Sequence, residues 1–173
     1  GYKASEIEEL VKSAEFQEWA KGKLGTNRQY LYERPEADPS FFSVQINLDS
    51  NFQAVLPSNL VNDAPLNFAL AQHFYKASKK ANYDFDQLPI PFRCMGAEIF
   101  TQKEVILKKG NLADAVRATM AVPLFFRPVK IDGQYLFDGG IYNNFPVNVM
   151  REEFGPEVII GVNVSSKVYP EYP

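Results

Sequence analysis

The sequence predicts an α/β layered domain, and three features carry the prediction. Stretches with helical hydrophobic spacing alternate with stretches of period two; a strong Asp-Gly hairpin signal lies between them; and Val158-Ile159-Ile160-Gly161-Val162 forms a near-continuous apolar run. A length of 173 residues suits a single core better than two.

Along the chain, Ser5 and Glu8 form a capping-box pattern, and Ile7, Leu10, Val11 and Ala14 follow at helical spacing, so a helix is expected to start at Ser5. A second helical stretch carries Phe16, Trp19 and Ala20 and closes at Gly22. Residues 23–39 read as irregular. From Phe42 to Asp49 apolar and polar residues alternate as in a half-buried strand, with Phe52, Ala54 and Leu56 as its hairpin partner, ended by Pro57. A helix is expected from Asp63 and Pro65 to about Ala81, with Leu66, Ala69, Leu70, His73 and Ala77 on one side.

Strands are expected over Phe92–Phe100 and Glu104–Leu107, joined around Thr101-Gln102. Asn111 should cap a helix that bears Leu112, Ala115, Val116, Thr119 and Met120 and ends at Pro123. Val129–Ile131 and Gln134–Phe137 flank Asp132-Gly133, a two-residue hairpin turn. Pro146 can open a short helix to Phe154, and Glu157–Val164 reads as a strand covered on both faces.

Composition narrows the function. A net charge of −3 with dispersed Lys and Arg provides no basic field for a phosphate backbone, so nucleic acid is not an expected partner. The single cysteine, Cys94, lies in an apolar run, reads as a buried thiol and leaves the redox compartment open. The first residues carry no signal-peptide pattern. No metal-binding spacing is present, and neither a metal nor a cofactor is expected. His73, on the apolar side of its helix, reads as a hydrogen-bonded structural histidine rather than a base. No serine has glycines two residues to each side, so a Ser-His-Asp triad lacks its nucleophile here.

Asp138 is the candidate catalytic residue. An Asp-Gly pair alone is an ordinary turn. Here a second glycine follows, and Gly139 and Gly140 together remove both Cβ atoms beside one carboxylate, as a base acting directly on a hydroxyl requires. The string from Asp138 through Gly139-Gly140-Ile141-Tyr142-Asn143-Asn144-Phe145-Pro146 to Val147 resembles the D-G-[AG] motif of patatin-like phospholipases. Ala115-Val116-Arg117-Ala118-Thr119 through Pro123 to Phe126 is similar to that family's V-R-A-S helix and Pro-aromatic loop, and Pro91–Cys94 and Val158–Gly161 extend the resemblance over residues 90–164.

The resemblance implies a three-layer α/β/α sandwich and hydrolysis of lipid or phospholipid esters by a Ser-Asp dyad, with Asp138 as the carboxylate. Gly139 and Gly140 would keep the approach open, and Asn143 is a candidate for hydrogen bonding around Asp138, with a structural Asx turn as its competing reading. The family's G-x-S-x-G nucleophile strand and helix and its oxyanion glycine loop are not among these residues. Residues 1–173 are therefore expected to form one partial domain of a longer hydrolase, inactive alone. Its open seam would be covered by self-association or by a bound upstream peptide. The competing expectation is a non-catalytic lipid-binding or interaction module that keeps the fold and uses residues 41–56 and 123–129 as contacts. Contact with a membrane surface fits either, and the resemblance alone suggests a bacterial envelope location.

Overall fold

The computed structural model describes residues 2–23, 47–48, 54–55 and 60–162. Helices α1 (Ala4–Lys12) and α2 (Ala14–Ala20) open the chain, with a kink at Ser13 whose Oγ accepts the Phe16 N–H at 3.1 Å. The capping box is displaced from its expected place. It is Glu6 that accepts the Lys3 N–H, at 2.6 Å, so α1 begins at Ala4, while Glu8 instead pairs with Lys12 one turn on. Gly22 takes φ +70° and donates to the Trp19 carbonyl, ending α2 as expected.

The hairpin expected over 42–56 is present as β1 (Asn47–Leu48) and β2 (Ala54–Val55), antiparallel with Asn47 opposite Val55; its remaining residues lie outside those described. Helix α3 (Ala64–Lys80) matches its sequence pattern, entering through Asp63 and Pro65. Its Ser78 hydroxyl accepts the Leu112 N–H at 3.0 Å and so fixes the start of α4 (Leu112–Ala118), which Asn111 caps through the Ala113 N–H. This helix is shorter than expected. Thr119 and Met120 form a turn, so the helix stops before Pro123 can act on it.

The main sheet has the order β4-β3-β6-β5, all antiparallel, from β3 (Cys94–Glu98), β4 (Lys103–Leu107), β5 (Val129–Ile131) and β6 (Gln134–Asp138). Every residue of β3 is buried, as befits a central strand. The β5–β6 turn uses Asp132 and Gly133 at φ +48° and +83°, the paired left-handed conformation of a tight hairpin. Helix α4 packs on β3, β5 and β6, with α3 against it, and Phe85, Cys94, Leu107, Leu112, Ala115, Ala118 and Leu136 form the core between them. Helix α5 (Val147–Phe154) follows, tied to the start of β3 by Arg93 to Glu153 at 2.8 Å.

The strand expected over Glu157–Val164 is not formed at residues 157–162, and 163–164 lie outside the described residues. Val158, Ile160 and Val162 are 75%, 88% and 76% exposed. An apolar run becomes a strand only beside a partner that takes its backbone hydrogen bonds, and none of the described strands pairs with it.

One polar group is built into this frame. Asp63 and Arg117 are both buried; Arg117 donates to Asn67 at 2.8 Å and lies 3.4 Å from Asp63, which also receives Arg127 through two nitrogens at 2.5 and 3.1 Å. The hydrogen bonds from Arg127 hold the Asp63 carboxyl below its ordinary pKa against the cost of burial. Its contribution to stability is therefore complete above the ordinary value of 3.8 and is lost as pH falls through the lower value of the folded state. Asp63→Ala should cost about 3–5 kcal/mol, because it leaves Arg117 buried with no counter-charge, and should flatten the acid limb of stability measured by chemical denaturation across pH.

Candidate active site

Asp138 ends β6, opposite Gly96 on β3, and its N–H donates to the Ala121 carbonyl at 3.0 Å. Its side chain caps the single turn of 3-10 helix over Gly139–Ile141: Oδ1 accepts the Gly140 N–H at 2.8 Å. Among the described residues no donor reaches Oδ2. The residue is half-buried on the wall of a groove of about 460 Å3, shared with Phe92, Met95, Thr119, Asn144 and Met150. One oxygen is thus oriented by backbone while the other is left for a hydroxyl, the arrangement a fixed general base needs.

Neither glycine is required for a left-handed conformation, since neither has positive φ. They are required for space. A Cβ on Gly139 would come within 2.6 Å of the Met95 carbonyl oxygen, and one on Gly140 within 2.8 Å of Asn144 Oδ1 and 3.2 Å of Asp138 Oδ1. Gly139 is buried and lets the turn lie on β3; Gly140 lets Asp138 and Asn144 share one side of it.

Asn143 also lines the groove, but its amide is committed elsewhere, donating to Glu104 and to Asn148, each at 3.1 Å, while its N–H closes on the Gly139 carbonyl at 2.9 Å. It ties the glycine turn to β4 and α5 rather than donating to Asp138. Glu104, Thr119 and Asn144 were not singled out from sequence. Thr119 stands where the V-R-A-S-like string has its last residue, and that place in the motif was the available signal.

His73 is in another environment. Its Nδ1 is 2.8 Å from the Tyr2 hydroxyl, its ring packs on those of Tyr2 and Trp19, and it is not among the groove residues. Cys94 is buried with its thiol pKa pushed up to about 12 by burial, so its side of the groove offers no thiolate near neutral pH. Among the described residues no group of three or more His, Cys, Asp or Glu is placed to hold a metal ion, and no helix is long and apolar enough to cross a membrane.

A glycine-bounded aspartate at a strand end, with a V-R-A-x helix packed on the same sheet, agrees with what the sequence matches. The family model described as patatin-like phospholipase matches residues 15–151. The chain belongs to the patatin-like phospholipase family. Similar proteins include the uncharacterized NTE family protein Rv2565 of Mycobacterium tuberculosis, 38% identical over 74 residues, which are 43% of this chain and 13% of the relative. Lysophospholipase NTE1 of Candida albicans is 35% identical over 77 residues, 44% of this chain and 6% of the relative. The patatin-like phospholipase domain-containing protein ZK370.4 of Caenorhabditis elegans is 32% identical over 83 residues, 47% of this chain and 6% of the relative. The match therefore spans a small part of these relatives' length.

The close approach at Gly139 generates a test. Gly139→Ala should force β6 and the patatin-like turn away from Met95 and destabilise the fold by about 1–3 kcal/mol, read as a lowered denaturation midpoint, because the neighbouring atoms are the Met95 Cβ and carbonyl group, which no side-chain rotation moves aside.

Proposed function

We propose that this chain supplies the catalytic aspartate of a lipid acyl hydrolase that uses a Ser-Asp dyad, with Asp138 as the base and the nucleophilic serine in a G-x-S-x-G segment outside these 173 residues. Membership of the patatin-like phospholipase family supports a lipid ester as substrate. The observation that carries the reading is the setting of Asp138: Oδ1 is held by the Gly140 N–H, and Oδ2 has no donor among the described residues on a largely apolar groove.

On this reading Asp138 accepts the seryl proton as Oγ attacks the ester carbonyl carbon. The tetrahedral intermediate collapses, the bond to the alcohol oxygen breaks, and Asp138 returns the proton to that oxygen. Water then attacks the acyl-serine; Asp138 takes its proton and hands it back to serine Oγ as the fatty acid leaves. Asn143 maintains the turn through Glu104 and Asn148. The exposed Val158, Ile160 and Val162 support a companion proposal: residues 1–173 are part of one catalytic domain, and a further segment or a second copy covers this side.

In a protein carrying the G-x-S-x-G segment, Asp138→Asn should preserve shape and lower turnover of a phospholipid or p-nitrophenyl ester by orders of magnitude, while His73→Gln retains substantial activity. Near-normal turnover in the Asp138 variant would remove the dyad. The 173 residues alone should not react with a fluorophosphonate probe and should self-associate in light scattering. Stoichiometric labelling of a serine, or a monodisperse monomer that binds no hydrophobic dye, would contradict this reading.

A further inference from the structure

Between α3, α4 and the start of β5 lies a cavity of about 390 Å3 whose walls include Asn67 and Ala71 of α3, Arg117 of α4, and Arg127. It shares no residue with the groove of Asp138, and no residue of 157–162 lines it. Its chemistry is therefore separate from the proposed hydrolysis.

Donors outnumber acceptors on this wall. A guanidinium is rich in N–H groups and has no acceptor of its own. Asp63 takes Nε and Nη2 of Arg127 and Nη2 of Arg117, engaging both carboxylate oxygens, and Asn67 Oδ1 takes Nε of Arg117. Arg117 Nη1 is left buried with no acceptor among the described residues. The Phe126 ring, whose centre is 4.6 Å from the guanidinium carbon, offers a π face in place of a lone pair. A buried donor of this kind is unfavourable unless a water or an ion meets it. Among the described residues nothing accepts from Arg127 Nη1 or Asn67 Nδ2 either.

Charge is out of balance in the same direction. Arg117 and Arg127 together face one carboxylate, that of Asp63. Burial pulls the Arg117 guanidinium below its ordinary pKa, and Asp63 does not fully offset the pull. Asp114, the other carboxylate on the wall, does not close the gap: desolvation raises its pKa, and it is the side chain of Asn111, not a guanidinium, that opposes the rise. Lys130 adds a further positive charge to the wall. An anion in the cavity would relieve this excess across a short, poorly screened distance whether or not it touched Nη1 itself.

We propose that the cavity is a binding site for a phosphate group, carried by free phosphate or by a lipid headgroup, with Arg117, Arg127 and Asn67 as its recognition residues. Donors on three side chains suit a tetrahedral oxyanion, whose oxygens point in several directions, better than a planar carboxylate. The test is calorimetric binding of inorganic phosphate to the full-length protein, with melting temperature compared against chloride at equal ionic strength. Phosphate should bind saturably and raise the melting temperature, as a ligand of the folded state does, and acetate should do so less.

Ala71 is exposed on α3 at the cavity wall, so Ala71→Glu keeps a good helix former while bringing a carboxylate to the guanidiniums. Without phosphate it should melt no lower than Gln72→Glu, and it should bind phosphate at least about tenfold more weakly than the wild type. Gln72→Glu adds the same charge at the next residue, which does not line the cavity, and should change phosphate affinity by less than about twofold. Phosphatidylcholine vesicles with and without dialkyl phosphatidic acid separate the two sources. Recruitment by the phosphatidic acid that Ala71→Glu abolishes assigns the site to a headgroup, and saturable phosphate binding without such recruitment assigns it to the free ion; either sustains the site. Failure of the wild type to respond to both ligands would overturn it, as would acetate acting as well as phosphate or undiminished binding by Ala71→Glu. An equal loss in Gln72→Glu, or a lower melting temperature for Ala71→Glu than for Gln72→Glu, would also overturn it by denying the local excess of positive charge.

Discussion

The candidate site depends on how closely two backbones can approach. β6 ends against the central strand β3, with Asp138 opposite Gly96, and the chain then turns so tightly that Gly139 lies on the main chain of Met95. Any side chain at residue 139 would lift the turn from the sheet. Because the Gly140 N–H belongs to that turn, its grip on Asp138 Oδ1 would go with it. The orientation of the carboxylate is therefore set by a contact in which the carboxylate takes no part.

A second constraint reaches the same residue from the other side. Asp63 receives Arg117 from α4 and Arg127 from the far end of the loop at residues 119–126. Arg117 also lies over the Phe126 ring, with its guanidinium carbon 4.6 Å from the ring centre. The segment whose Ala121 carbonyl holds the Asp138 N–H is thus pinned at both ends by one buried carboxylate. Burying Asp63 and Arg117 is costly, and the arrangement is tolerable because the carboxylate accepts from Arg117 and from the exposed Arg127 while Asn67 takes a further donor of Arg117.

Much of this was legible in the residues themselves because it is written in local chemistry. Asp132-Gly133 specifies a tight hairpin through conformations few residues accept, Pro65 opens α3, and Asn111 caps α4. Asp138 with its two glycines stood out for the same reason, although their need for space rather than for positive φ emerged only with Met95 in place. What could not be read depends on distant partners. The apolar run at 158–162 has the composition of a buried strand, but composition does not supply the neighbour. The left-handed Leu124 is enforced by Leu60 and Val61, more than fifty residues earlier in the chain, and nothing in Pro123-Leu124-Phe125 announces it. The capping box failed for a smaller reason: Ser5-Glu8 and Lys3-Glu6 share the same spacing, and only the entry direction of the chain chooses between them.

The proposed dyad places an unusual demand on its carboxylate, and the local structure is suited to it. A histidine base is held through one ring nitrogen and moves the proton at the other, whereas an aspartate acting alone must be held, take the proton from serine and release it to the leaving oxygen with one small carboxylate. Rotation of the carboxylate between those events would carry the proton away from the alcohol. At Asp138 such rotation is opposed because Oδ1 is engaged by the Gly140 N–H, a bond made within the same tight turn. That turn is held in its own right by the Asn143 N–H on the Gly139 carbonyl and by the Asn143 amide on Glu104 and Asn148. On this reading the Asn-rich continuation of the motif serves the reaction by keeping the turn rigid, so that a single oxygen faces the serine throughout both proton transfers.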